Sequence, residues 1–138
     1  MQTRLFDLAP ERRAALVESL AEGVCADAEV IFAYLYGSFA RGEPFHDVDV
    51  GVYLTESGHR AGAKALDLAG ALSQRIGYPV DVRVLNNAPV PFRFKAVQGV
   101  LLIDRDEERL ASFLERTGMA YADLAPRLRQ ATRDAFAR

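Results

Sequence analysis

The segment Val30–Tyr36 is a continuous run of apolar and aromatic residues, VIFAYLY, with no polar interruption. A run of this length is typical of a β-strand that is covered on both faces. Water is excluded from both faces of a strand only when other elements pack on each side of its sheet. The run therefore favours an α/β fold in which helices pack on the sheet.

Helical and strand patterns alternate along the rest of the chain. The residues predict a helix from Pro10 to about Gly23 or Ala26-Asp27, a strand Asp47–Leu54, a helix over 59–76, a strand Val80–Leu85, a short helix Phe92–Val97, a strand Val100–Ile103 and two terminal helices around Gly118. Gly77 follows the second of these helices at the position of a C-terminal cap.

This order of elements predicts an α/β fold with a small mixed sheet, flanking helices and a helical C-terminal tail. Because the chain has the size of one ordinary domain, we expect a single domain over residues 1–138. Its core is expected at about 28–104 and its helical tail at about 105–138.

The composition excludes several classes of protein. The 138 residues carry a net charge of −2, with 50% hydrophobic and 26% charged residues. That balance is typical of a folded globular domain and disfavours bulk nucleic-acid binding, since duplex-binding proteins are usually basic. The single cysteine, Cys25, cannot form an intrachain disulfide, and we expect it to be a small core residue. With no signal-peptide pattern and no apolar run of membrane-spanning length, we expect a cytoplasmic protein without membrane contacts.

Three aspartates occupy equivalent positions on two alternating strands. In Asp47–Leu54 the valines fall on one face, so Asp47 and Asp49 share the other face, with backbone origins about 6.6–7 Å apart. Asp81 lies in the same phase of Val80–Leu85. If the strands are neighbours, the carboxylates converge and can share one divalent cation, or two about 3.5–4 Å apart. Oxygen ligands favour a hard ion such as Mg²⁺, and the alternative is an acidic strand face that is simply solvated.

A second candidate site begins where the first strand ends, at Gly37-Ser38. Glycine lets the main chain approach a phosphate closely, and the Ser38 hydroxyl is a further donor. Arg41 can bind phosphate oxygens through two parallel hydrogen bonds. These residues predict a phosphate site, and the alternative is an ordinary strand-to-helix turn in which Ser38 is the N-cap. The sequence contains no P-loop.

Gly37-Ser38, Arg41-Gly42 and Asp47-x-Asp49 follow one another closely, and together they resemble the signature of the nucleotidyltransferase superfamily. The motif Gly-Ser-Phe-Ala-Arg-Gly resembles that of the minimal nucleotidyltransferases, which are antitoxin partners of HEPN-type toxins. In that family the third carboxylate lies in a strand with a sequence pattern similar to Val-Asp-Val, and Asp81 occupies this position here. The resemblance extends over about residues 28–120.

The resemblance implies a nucleotidyltransferase-like fold and a Mg²⁺-dependent reaction. Members of the family adenylylate their partner toxin from ATP, with a tyrosine as the acceptor. We therefore expect this chain to move a nucleoside monophosphate, AMP from ATP, onto a hydroxyl of a HEPN-like toxin, as the antitoxin of the pair. Two later segments, Arg93-Phe94-Lys95 and Val100–Asp104, also look like the family's continuation.

The same resemblance implies a division of roles among the candidate residues. Nucleotidyl transfer depends on neutralising and positioning phosphate charge, for which two Mg²⁺ ions on a carboxylate platform are well suited. Asp47 and Asp49 would hold both ions, and Asp81 would ligate the ion nearest the acceptor and help to take its proton. The Gly37-Ser38 turn would hold the β- and γ-phosphates with the help of Arg41.

One position departs from the family pattern, because His46 stands where serine commonly precedes the first aspartate. We expect His46 to be an exposed or supporting residue rather than a metal ligand. The runner-up function is a non-catalytic module that binds a nucleotide, or only the toxin, and neutralises its partner by occlusion. The three retained carboxylates favour the enzyme, whereas His46 favours altered activity.

Overall fold

The computed structural model describes residues 4–55 and 59–136 as alternating helices and strands. In chain order the elements are α1 (Pro10–Cys25), β1 (Val30–Tyr36), α2 (Gly37–Ala40), β2 (Val48–Leu54), α3 (Ala61–Ile76), β3 (Val80–Val84), α4 (Val90–Val97), β4 (Val100–Asp104) and α5 (Glu107–Phe136). Every predicted strand is present within one residue of its predicted ends. Among the described residues, no helix is long and apolar enough to cross a membrane.

Four strands of the described chain form one mixed sheet in the order β3-β2-β1-β4. β1 pairs antiparallel with both β2 and β4, whereas β2 and β3 are parallel. The parallel pair is connected through α3, as expected for parallel neighbours, which need a long crossover between them. The predicted small mixed sheet with flanking helices is thus confirmed, with β3 at one edge.

β1 is buried along its whole length, as its unbroken apolar run predicts. One face of the sheet packs against α1 and α3, and the core there includes Leu16, Leu20, Val24, Leu35, Val50, Leu68 and Leu72. The other face packs against α4 and α5, and the core there includes Phe32, Tyr34, Tyr36, Ala96, Leu110 and Phe113. A sheet covered on both sides explains why β1 carries no polar residue.

The alternation in β2 assigns each of its side chains to one of these two faces. Val48, Val50 and Val52 are fully buried against the α1–α3 side. Tyr53 points to the α4–α5 side, where its ring stacks on Phe32 at a centroid distance of 4.7 Å. Since side chains alternate along a strand, Asp49 shares the face of Tyr53. The candidate aspartate therefore lies on the aromatic face of the sheet.

The prediction of two terminal helices around Gly118 is wrong, because α5 is one helix of 30 residues. Glycine within a helix costs only about 1 kcal/mol relative to alanine, so it does not end a helix that packing holds on both sides. Before Gly118, Phe113 is 1% exposed against the sheet. After it, the Tyr121 ring stacks on Phe94 of α4 at 3.7 Å between centroids. These contacts on both sides of Gly118 keep α5 continuous.

The expectation of a buried Cys25 is also wrong. Cys25 is the last residue of α1 and is exposed. Its carbonyl oxygen accepts a hydrogen bond from Arg105, which also donates to the carbonyl of Val30 at 2.6 Å. The helix end therefore turns its backbone towards an arginine, and the cysteine side chain remains at the surface.

Candidate active site

Two of the predicted carboxylates are direct neighbours near the start of the parallel strand pair. In the register of β2 and β3, Asp49 lies opposite Asp81. Residues opposite each other on adjacent strands project to the same face of the sheet. Asp47 lies two residues before Asp49, immediately ahead of the first residue of β2. The structure therefore brings the three aspartates to one end of the sheet.

The charge on Asp49 is unfavourable in this environment. Burial, followed by the negative charges of Asp47 and Asp81, raises the pKa of the Asp49 carboxyl to about 6, although Lys95 and Arg83 act in the opposite direction. No described side chain forms an ion pair with Asp49. A carboxylate that is partly desolvated and repelled by two others attracts a cation.

The predicted phosphate turn touches the carboxylate directly. Gly37 has φ +85°, in the left-handed region that favours glycine, and a Cβ built on it would collide with Oδ2 of Asp49 and lie 3.2 Å from its Cγ. Glycine is therefore required at position 37 for two reasons, the backbone conformation and the space that Asp49 occupies. The turn and the aspartate form one continuous surface.

The other two predicted phosphate ligands are placed less favourably. Ser38 is not the N-cap, because α2 already begins at Gly37 and its N-cap, Tyr36, makes no side-chain cap. The Ser38 carbonyl accepts a hydrogen bond from the Glu43 amide at 3.0 Å. Arg41 is exposed and forms a two-pronged pair with Glu43, at 3.2 Å and 3.1 Å. A phosphate would have to replace Glu43 as the partner of this guanidinium.

Two cationic residues that sequence reasoning left without a role lie beside the aspartates. Arg83 donates from Nε to Oδ2 of Asp81 at 3.1 Å and lies over the Phe92 ring. Lys95 lies one turn after Phe92 on α4, and its charge lowers the pKa of Asp49. Only the packing of α4 on the sheet places Lys95 here. The one available signal was that Arg93-Phe94-Lys95 resembles the family's continuation.

An aromatic pair forms the floor beside the carboxylates. Tyr36 is the register partner of Asp49 and is 5% exposed, and its ring meets Phe92 edge-on at 5.5 Å. Burial, followed by the charge of Asp49, raises the pKa of the Tyr36 hydroxyl well above its usual value. The hydroxyl therefore stays protonated and is available as a hydrogen-bond donor at neutral pH.

The donor set fits a hard divalent cation. It consists of carboxylate oxygens, which Mg²⁺ prefers, and the mutual repulsion at Asp49 is relieved by a positive ion. Within residues 4–55 and 59–136, no three His, Cys, Asp or Glu side chains are already arranged as a metal cage. Asp81 is instead paired with the Arg83 guanidinium at 3.1 Å.

His46 contacts the N-terminal segment. It is exposed, and its Nδ1 donates to the carbonyl oxygen of Arg4 at 2.8 Å, since a carbonyl can only accept. Next to it, Phe45 and Phe6 exchange both backbone hydrogen bonds, at 2.8 Å and 2.9 Å. The residue that departs from the family pattern therefore helps to fasten the N-terminal segment to the loop before Asp47.

Solved structures with a similar fold include several toxin–antitoxin proteins. A mutant form of the MntA–HpeT toxin–antitoxin gives a TM-score of 0.68 at 19% identity, over 91% of this chain and 98% of that chain. The tri-AMPylated Shewanella oneidensis HEPN toxin in complex with MNT antitoxin gives 0.64 at 19% identity, over 93% and 98%. A toxin–antitoxin with AMP-PNP gives 0.66 at 20% identity, over 95% and 100%. At these identities the likeness shows a shared fold.

Sequence comparison identifies the family to which the chain belongs. No curated protein matches the chain. The family described as "Polymerase beta, Nucleotidyltransferase" matches residues 18–108. Because this match includes every predicted site residue and most of the chain, the protein belongs to the polymerase beta nucleotidyltransferase family.

Proposed function

We propose that this chain is a Mg²⁺-dependent nucleotidyltransferase that moves AMP from ATP onto a hydroxyl of a partner protein, as the antitoxin of a HEPN-like toxin. The observation that carries the proposal is the close approach of Gly37 to Asp49, which joins the phosphate turn to the carboxylates. A nucleotide phosphate and its metal ions bind as one unit, so the two subsites must adjoin. Membership of the family supports the reaction class.

In this proposal Asp47 and Asp49 share one task and Asp81 has another. Bound Mg²⁺ would neutralise charge on the α-phosphate and on the leaving pyrophosphate. Asp47 and Asp49 would hold two ions between them. Asp81, opposite Asp49 on the more exposed edge strand, would face the acceptor, ligate the nearer ion and help to take the proton of the attacking hydroxyl.

The cations around the carboxylates suit the triphosphate. The Gly37-Ser38 turn would bind the β- and γ-phosphates, and Arg41 would leave Glu43 to bind phosphate oxygens. Lys95 forms no ion pair with any described residue, so its charge is available to a ligand near Asp49. A triphosphate held by these positive charges would bring its α-phosphorus close to the carboxylates.

The acceptor and the nucleotide are inferred from similarity. Two structures with the same fold are described as a tri-AMPylated HEPN toxin with MNT antitoxin and a toxin–antitoxin with AMP-PNP, which supports ATP as substrate and a toxin as acceptor. We propose that residues 1–138 act as one unit, with a core at about 28–104 and a tail at about 105–138. The exposed stretch of α5 from Pro126 onward leaves room for a partner that completes the acceptor side.

A second candidate function is a non-catalytic module that occludes a toxin. The observation that favours it is the pairing of Asp81 with Arg83 and of Arg41 with Glu43, which engages two proposed site residues within the chain itself. Both pairs are largely exposed, however, and exposed ion pairs are held by about 1 kcal/mol or less. A nucleotide with bound metal can displace contacts of that strength, so the enzyme remains the better proposal.

The test is transfer of label from α-labelled ATP. The protein is incubated with Mg²⁺, the labelled ATP and the product of a HEPN-like reading frame adjacent to its own. We expect label on the partner, no label when Mg²⁺ is chelated, and none with Asp47→Ala or Asp81→Ala, while both variants still form the complex. Tight complex formation without any label from the wild-type protein would instead support the occluding module.

A further inference from the structure

The α1 helix carries a buried arginine in the middle of its apolar face. Arg13 is 8% exposed and precedes Leu16, Leu20 and Val24 at helical spacing on the side that packs against the sheet. A charged group is rarely buried unless it is paired and hydrogen-bonded. A buried arginine therefore needs partners, and the neighbouring segments supply them.

Each of the three guanidinium nitrogens donates a hydrogen bond to a neighbouring segment. Nε donates to the carbonyl of Leu8 at 2.8 Å, Nη2 donates to the Asp7 carboxylate at 3.0 Å, and Nη1 donates to the carbonyl of Phe39 at 3.3 Å. Phe39 belongs to α2, which starts at the phosphate turn. One side chain thus connects the N-terminal segment to the element that carries Gly37.

The same guanidinium also contacts the loop that leads to the metal carboxylates. It lies over the ring of Phe39 at 5.4 Å and over the ring of Phe45 at 5.5 Å. The two rings meet edge-on at 4.9 Å, and Phe45 is 1% exposed only two residues before Asp47. Arg13 therefore contacts both α2, which begins at the phosphate turn, and the loop that ends at Asp47.

We propose that Arg13 is a positioning residue, which sets the phosphate turn and the Asp47–Asp49 pair at the separation that a metal-bound nucleotide requires. The effect on nucleotide binding rests on the proposed function, whereas the contacts of Arg13 do not depend on it. Arg13 acts through the Phe39 carbonyl and the Phe45 ring and touches no substrate. A single guanidinium between α2 and the loop before Asp47 couples their positions, because neither can shift without breaking a buried charged contact.

The test compares Arg13→Met with Arg75→Met in the full chain. Arg75 is a matched control because it also donates to a backbone carbonyl, that of Ser19, at 2.9 Å. This contact joins α3 to α1 and lies away from the site. We expect Arg13→Met to raise amide exchange at residues 41–43 by tenfold or more and to weaken MgATP binding about tenfold. Arg75→Met should change neither, although both variants lose some stability.

The conservative variant Arg13→Lys keeps a buried cation that can donate to the Phe39 carbonyl, so it should recover part of the lost protection and affinity. If Arg13→Met does not fold, Arg13→Lys against Arg75→Lys decides by the same comparison. Equal exchange at residues 41–43 in the two methionine variants overturns the proposal, and where Arg13→Met does not fold, equal exchange in the two lysine variants does so. If wild-type protein binds no MgATP, the proposed function fails, and the amide exchange alone still decides whether Arg13 holds the turn.

Discussion

The two flanks of the candidate site are held by very different means. On one flank, Gly37 packs directly against Asp49, and the buried Arg13 and Phe45 support the turn and loop around them. On the other flank, Asp81 lies on the edge strand β3, where its only described ion-pair partner is Arg83, with side chains 41% and 61% exposed. The first flank is fixed by backbone and packing, and the second by solvated side chains.

This difference indicates which parts of the site are preorganised. Buried contacts keep their geometry before a ligand arrives, and catalysis by charge stabilisation benefits from groups that need no reorganisation. An exposed ion pair is weak and exchanges partners easily. We infer that the flank of Gly37 and Asp49 receives the nucleotide in a ready-made geometry, whereas Asp81 adjusts when metal and acceptor bind.

The largest expected effect comes from removing charge on the fixed flank. Asp49→Asn should lower the rate of AMP transfer by about a thousandfold or more, because charge stabilisation supplies most of the acceleration in phosphoryl transfer. The variant should remain folded, since asparagine has nearly the shape of aspartate and its neutral amide relieves the repulsion from Asp47 and Asp81. Single-turnover labelling with α-labelled ATP measures the rate. Asp67→Asn on α3, an exposed carboxylate, is the control and should transfer normally; a wild-type rate for Asp49→Asn would refute the metal role.

The contact between Gly37 and Asp49 gives the second prediction. Gly37→Ala places a Cβ where Asp49 Oδ2 lies, so the variant should lose about 10- to 100-fold in transfer rate and about 1–2 kcal/mol of stability. Gly77→Ala is a matched control, because Gly77 also has positive φ, +79°, but a Cβ there meets nothing within 4 Å. Chemical denaturation and labelling of both variants separate the collision from the backbone strain. Equal losses in the two variants would contradict the prediction.

Much of this arrangement could be predicted from the sequence, because it follows from local patterns. The apolar run of β1 predicts a strand covered on both faces, and the alternation around Asp49 and Asp81 places both carboxylates in one phase. Strand period alone therefore predicts that they meet, provided that the strands are neighbours. Gly77 adopts the left-handed conformation, with φ +79°, that a helix cap requires.

Other features depend on contacts between distant segments, which periodicity does not report. Arg13 lies on the apolar face of α1, although sequence patterns ordinarily place a charged residue on the exposed face of a helix. Its partners, Phe39 and Phe45, are distant in sequence. Lys95 reaches the site only because α4 packs beside β1. Gly118 suggests a helix end locally, but tertiary packing overrides a cost of about 1 kcal/mol.

The raised pKa of Asp49 predicts a pH-dependent stability. Its folded pKa of about 6 lies above the ordinary 3.8, so the folded state binds the proton more tightly, and ionisation costs stability. The cost is absent below about pH 4, grows between about pH 4 and 6, and is complete above about pH 6. Removing the charge in Asp49→Asn should therefore stabilise the metal-free protein by about 1–2 kcal/mol at pH 7.5, after allowance for solvent, and not at pH 4.

Urea denaturation of wild type and Asp49→Asn at the two pH values, with a chelator present, measures this difference. Adding Mg²⁺ at pH 7.5 should then stabilise the wild type and leave Asp49→Asn unchanged, since only a species that binds the folded state shifts its stability. A gain from the substitution that is the same at pH 4 and pH 7.5 would show that packing, not charge, is responsible.

The smallest effect is expected on the exposed flank, at Arg83. This arginine pairs with Asp81 and would compete with a cation for it, and its own charge would oppose cation binding near Asp49. Arg83→Gln should therefore lower the Mg²⁺ concentration needed for half-maximal transfer by about two- to fivefold, because exposed pairs contribute about 1 kcal/mol or less. Its stability should change by less than about 1 kcal/mol.

A charge-matched control separates the two flanks in that experiment. Arg75→Gln removes the same charge from α3, where Arg75 pairs with Glu22 at 2.8 Å, and it should leave the Mg²⁺ requirement unchanged. A higher Mg²⁺ requirement for Arg83→Gln would show that Arg83 holds Asp81 in its working position, and the exposed flank would then be as fixed as the buried one. A lower Mg²⁺ requirement would support a model in which the metal displaces Arg83 from Asp81. A weak surface ion pair permits such an exchange of partners, whereas a buried ion pair does not.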